Sequence, residues 1–136
     1  HEYNALYEFG GYLGLAFQLQ DDYLDVYGDV AEFGKKIGGD IIANKKTYML
    51  IKALELADAQ TKEELWGWIE KKEFHHEEKI QAVTRIYNQL GIREVALAAI
   101  DKYLKKSREI LDRIDVPRER KIDFYEILDA LGDRKK

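Results

Sequence analysis

The sequence predicts an all-α protein, a helical bundle forming one domain over residues 1–136. Three observations predict it. Apolar residues recur three and four positions apart along most of the chain, with little of the strict alternation that marks a strand. A single proline and no Ser/Gly-rich or repeated tract interrupt the pattern. Hydrophobic residues at 46% and charged residues at 35% suit a folded helical core and not a disordered chain.

Leu6, Phe9, Leu13, Ala16, Phe17 and Leu24 set a first helix over about residues 3–27. Its middle is apolar on nearly every side, the pattern of a helix packed by neighbours on several faces. Gly10, Gly11 and Gly14 each cost roughly 1 kcal/mol against alanine inside a helix, which small-residue packing or the close approach of another backbone would explain. The segment GDVAEFGKKIGGD, residues 28–40, carries four glycines and breaks the periodicity, so it reads as a loop. A second helix is predicted from Asp40 as its N-cap through IIANKKTYMLIKALELA to about Ala57. Thr61 with Glu64 matches a capping box and starts a short helix, TKEELWGWIEK. Another is predicted from Glu77 to Leu90, stopped by Gly91. Residues 92–114 give a long amphipathic helix closed by Pro117, and KIDFYEILDAL at 121–131 gives the last. Trp66, Trp68 and Phe74 read as the packing of a helix corner, and the adjacent His75 and His76 as surface residues.

Composition excludes several function classes. A net charge of -4, with basic residues scattered among acidic ones, offers no footprint for nucleic acid. Zero cysteines exclude disulfides, thiolate zinc sites and a cysteine nucleophile, and fit an intracellular protein with a cytoplasmic location. The longest apolar stretch, residues 12–19, is far below the roughly 18–20 residues a membrane span needs.

Against that background, FQLQDDYLDVYGD at 17–29 places carboxylates in the middle of an apolar helix. Gln18, Asp21, Asp22, Asp25 and Asp29 fall on one side of it at helical spacing. Like charges about 6 Å apart repel by roughly 3 kcal/mol per pair at an effective dielectric near 20, so a cation is expected opposite them. Oxygen-only donors suit a hard divalent ion, and Mg²⁺ is favoured where few carboxylates share it with waters and phosphates. The spacing lacks the alternating pattern of a calcium loop. Lys35 and Lys36 in the glycine-bracketed loop, with Lys45 and Lys46 on the first turns of the second helix, would face the carboxylates if the loop folds back. Either a salt-bridge network or a metal-and-lysine site for a diphosphate would account for that set.

The runs GYLGLAFQLQDDYLDVYGD and GKKIGGDIIANKKTY resemble the second aspartate-rich motif of the trans-isoprenyl diphosphate synthases, also called polyprenyl synthetases, and the lysine-bearing segment after it. KIDFYEILDAL resembles the family's last helix. The resemblance implies the C-terminal portion of an isoprenoid-synthase fold, with Mg²⁺ held by Asp21, Asp22 and Asp25 and an allylic diphosphate bound through it. It implies that Gln18 sits near the reacting part of the allylic substrate. Lys45 then matches one diphosphate-binding lysine, Lys35 or Lys36 matches the other, and Asp40 supports the phosphate site. The implied reaction joins the allylic diphosphate to isopentenyl diphosphate with release of diphosphate, in a protein that is a homodimer at full length. The family's first aspartate-rich motif has no match in these 136 residues, so the chain alone is expected to be inactive. A non-catalytic subunit of a heteromeric synthase, and a terpene cyclase of the same fold, are the alternatives; the G-K-x-x-G-x-D segment fits the synthases better than the cyclases.

Overall fold

Helices account for all the regular structure in the computed structural model, which describes residues 2–28 and 37–134. Among those residues they are α1 (Glu2–Tyr27), α2 (Gly39–Ile42), α3 (Tyr48–Leu56), α4 (Ala59–Glu70), α5 (His76–Gln89), α6 (Ile92–Arg113) and α7 (Arg118–Arg134). The all-α expectation holds. No helix of the described residues is long and apolar enough to cross a membrane. Contacts divide the chain into two units, one of His1–Asp21 with Leu97–Lys136 and one of Asp22–Ala96.

The first unit is built on the apolar stripes of α1, α6 and α7. Phe9, Ile110, Leu111, Ile114 and Leu128 form its core, and Phe124 meets Phe9 edge to face with ring centres 5.3 Å apart. Gln20, fully buried, donates its side-chain amide to the Leu131 carbonyl, which ties α1 to α7. The chain turns at residues 114–117 and α7 begins directly after Pro117, whose carbonyl accepts from the amides of Arg120 and Lys121. This helix is longer at both ends than the predicted 121–131. A proline suits the first turn of a helix, so it marks the start of α7 as well as the close of α6.

Several expectations for α1 are corrected here. Phe9 and Ala16 are buried, but Leu6, Tyr7, Leu15 and Phe17 are exposed, so this stretch is covered on one face and not on several. A Cβ on Gly10, Gly11 or Gly14 would meet nothing within 4 Å, and no backbone approaches them among the described residues.

The second unit packs α5 against α2, α3 and α4. Met49, Leu65, Ile86 and Ile92 are its largest fully buried aliphatic side chains. Helix α5 ends where predicted, with Gly91 at φ 70°, a left-handed turn that glycine adopts without a steric cost. Helix α4 starts two residues before Thr61, because Asp58 is the cap and accepts from the Thr61 amide at 2.8 Å. Trp66 is exposed, while Trp68 is half-buried under the Lys71 ammonium at 4.7 Å and Phe74 lies under the Lys79 ammonium at 4.4 Å. His75 and His76 are exposed, as expected.

The predicted second helix is two helices. Residues 43–47 leave helical geometry between α2 and α3, and Asn44 takes a positive φ of 56°. Asp40 is not a cap but the second residue of α2, which follows Gly38 at φ 96°. Thr47 is the cap of α3, its hydroxyl accepting from the Leu50 amide at 3.1 Å.

A carboxylate and lysine cluster as the candidate functional site

Asp22 and Asp25 occupy the last turns of α1 and are each 6% exposed. Burying two carboxylates one turn apart is unfavourable unless each finds a partner. Asp25 finds two backbone partners across the loop. Its Oδ2 accepts from the Asp40 amide at 2.8 Å, and its own carbonyl accepts from the Gly38 amide at 2.7 Å. These bonds return the chain after the loop to the end of α1 and fix the start of α2. Gly38 is required for that return, since a Cβ there would lie 2.6 Å from Ile80 Cδ1.

Asp22 is partnered by Lys45. The Lys45 Nζ lies 3.3 Å from Asp22 Oδ1 and 3.9 Å from Asp40 Oδ2. The hydrogen bond that Lys45 donates to Asp22, with the charges of Asp22 and Asp40, raises the Lys45 pKa above the usual lysine value, so the ammonium is held charged. Lys45 is half-exposed, which leaves its ammonium open to an anion from solvent. It stands in the turn between α2 and α3 and not on a helix, as does Lys46, which is exposed.

The turn that carries Lys45 is held from outside. Asn44 donates its side-chain amide to the Ile69 carbonyl at 3.0 Å and accepts from Lys79 Nζ at 2.6 Å. Thr47 shares a side-chain hydrogen bond with Tyr87, whose hydroxyl pKa is pushed up by burial. Asn44, Lys45, Thr47, Lys79 and Tyr87 line one cavity of ≈ 20 Å³, room for about one water. None of Asn44, Thr47, Lys79 or Tyr87 was singled out from the sequence. The flanking Asn and Thr of N-K-K-T were the available signal, as residues that tolerate a left-handed backbone and cap a helix.

Of the other sequence-predicted residues, Gln18 is exposed on α1 and Asp21 is half-buried. Asp29, Lys35 and Lys36 lie outside the described residues. No three carboxylates or histidines converge on one point among the described residues. The donors of Asp22 and Asp25 are carboxylate oxygens, as Mg²⁺ prefers, and an ion that keeps waters and phosphate oxygens needs only one or two of them. The residues present fit such a shared ion and do not form a closed cage.

The model of the polyprenyl synthetase family matches residues 1–87. A short chain isoprenyl diphosphate synthase from Methanothermobacter thermautotrophicus is 34% identical over 114 residues, covering 84% of this chain and 34% of that protein. The farnesyl pyrophosphate synthase of Saccharomyces cerevisiae is 36% identical over 111 residues, 82% of this chain and 30% of the relative. Among solved structures, a geranylgeranyl pyrophosphate synthase superposes with a TM-score of 0.85 at 36% identity, over 99% of this chain and 42% of that one. The geranylgeranyl pyrophosphate synthase of Corynebacterium glutamicum, solved in complex with isoprenyl diphosphate and magnesium, gives 0.83 at 29% identity, over 96% of this chain and 37% of that one. The chain spans about a third of the length of the curated relatives it matches.

Proposed function

Because the chain belongs to the polyprenyl synthetase family, we propose that it is the C-terminal portion of a magnesium-dependent prenyltransferase that condenses an allylic diphosphate with isopentenyl diphosphate and releases diphosphate. The observation that carries this reading is the half-exposed Lys45 ammonium set 3.3 Å from the buried Asp22 carboxylate, an anion-gripping group beside an oxygen donor. Asp22 and Asp25, with Asp21 adjacent in the chain, are the carboxylates assigned to Mg²⁺, which when bound supplies Lewis-acid stabilisation of the departing diphosphate.

In the reaction the allylic C–O bond breaks and its electron pair leaves with the diphosphate. The double bond of isopentenyl diphosphate attacks the allyl cation to form the new C–C bond, and a proton is then lost. Lys45 neutralises part of the negative charge that accumulates on the leaving group, and Lys35 or Lys36 is assigned a second share. Asp25 serves the site twice, as an oxygen donor and as the acceptor that anchors the Asp40 amide. Gln18 is assigned to the reacting end of the allylic substrate. The whole enzyme is proposed to be a cytoplasmic homodimer without a nucleic-acid partner.

Incorporation of labelled isopentenyl diphosphate by the whole enzyme tests the proposal. Asp22→Ala should lower kcat/KM by about a hundredfold or more and raise the Mg²⁺ concentration needed for half-maximal rate. Unchanged turnover in that variant, or cyclic products from the parent, would overturn the reading.

A further inference from the structure

Lys79 lies in α5, 1% exposed, and among the described residues no carboxylate pairs with it. A buried ammonium with no counter-ion is an unusual expense in a core this small. Its polar contact is the Asn44 side-chain oxygen at 2.6 Å, and its other neighbour of note is the Phe74 ring face. Burial lowers its pKa below the usual lysine value. Asn44 is in turn the non-glycine residue with a positive φ among the described residues, and its other side-chain end is fixed on the Ile69 carbonyl. The next residue in the chain is Lys45.

Resting on the reading of Lys45 as a diphosphate ligand, we propose that Lys79 is a positioning residue for Lys45: by gripping Asn44 it locks the left-handed turn that aims the Lys45 ammonium at the carboxylates of Asp22 and Asp40. Asparagine tolerates this backbone region better than other residues with a side chain, but it does not enforce it. An amide bonded at both ends does, because any rotation of Asn44 toward helical geometry would break two bonds at once. The uninterrupted helical pattern of the sequence from residue 41 to 56 makes that restraint necessary, since relaxation into one continuous helix would carry Lys45 away from Asp22. A charged donor grips the amide oxygen more strongly than a neutral one, which gives the buried cation a purpose.

The test uses the whole enzyme and separates the KM for the allylic diphosphate from that for isopentenyl diphosphate. Lys79→Met should raise the allylic KM about tenfold while leaving the isopentenyl KM unchanged, and Lys79→Arg should restore most of the loss. In a Lys45→Ala background, where no ammonium remains to be aimed, Lys79→Met should have no additional effect on the allylic KM. Equal effects in both backgrounds, or an unchanged KM in the native one, would overturn the proposal. If Lys79→Met does not fold, Asn44→Ala carries the same comparison, and a native allylic KM there overturns it. Lys45→Ala with a native allylic KM would instead refute the diphosphate reading itself, and the role of Lys79 would fall with it.

Discussion

At Gly38 the backbone passes through φ 96° while Ile80 presses against the space a side chain would fill. Alanine there meets both a left-handed backbone cost and a contact of 2.6 Å with Ile80 Cδ1. Gly38→Ala should therefore destabilise the protein by about 2 kcal/mol or more, read as a lower urea midpoint with an unchanged m-value. Gly67 is the opposite case. It sits within α4, toward its C-terminal end, exposed, with nothing within 4 Å of an added Cβ. Gly67→Ala should raise stability by about 0.5–1 kcal/mol in the same measurement, because only the helix propensity changes. The sequence marked residues 28–40 as a glycine loop, but it did not show why Gly38 in particular must lack a side chain. That requirement depends on Ile80, more than forty positions away, and no local pattern carries it.

Between elements, the turns from α2 to α3 and from α3 to α4 show how caps divide what periodicity would join. Asp58 caps α4, and its carboxyl pKa is lowered by the hydrogen bond from Thr61. A depressed carboxyl pKa contributes stability that is present above the unfolded value and lost as pH falls through the folded one. Asp58→Ala should therefore lower the melting temperature at pH 7, and the difference from the parent should shrink as pH drops below the ordinary aspartate value of about 4. Thr47 caps α3 from a buried position, and Thr47→Ala should cost about 1–2 kcal/mol in urea unfolding, with Thr47→Ser recovering most of it. Helices α5 and α6 were legible almost to the residue, because a stop glycine and a strong apolar stripe bracket them. The break at residues 43–47 was not. Its apolar pattern runs on as one helix, and the bonds that break it come from Ile69, Lys79 and Tyr87, which only tertiary packing brings to the turn. The sequence put Asp22 and Asp25 on one side of the helix and lysines opposite them if the loop folds back, and Lys45 does stand against Asp22, a pairing that no local pattern specified. That Asp25 also anchors the Asp40 amide was not visible, since a backbone donor leaves no mark in a sequence.

For the molecule as a whole, the balance of charge in the cluster sets what the chain can do alone. Asp22, Asp25 and Asp40 stand near one another, and Lys45 is the ammonium that ion-pair geometry gives to two of them. Their summed negative charge exceeds that of Lys45, so a diphosphate approaching this part of the chain is repelled until more positive charge is supplied. The chain spans about a third of the length of the curated relatives it matches, and on the proposed reading a whole enzyme brings further residues to the substrate. Mg²⁺ with inorganic diphosphate should consequently stabilise the isolated chain only weakly: near half-saturation the gain is about 0.4 kcal/mol, a shift of about 1–3 °C in melting temperature. The whole enzyme, saturated about a hundredfold above its dissociation constant, should gain about 2.7 kcal/mol under the same conditions. Thermal melts of both, with and without the two ligands together, check this, and circular dichroism establishes that the isolated chain is helical before the comparison is made. A shift in the isolated chain as large as in the whole enzyme would mean that these residues form a complete diphosphate site by themselves.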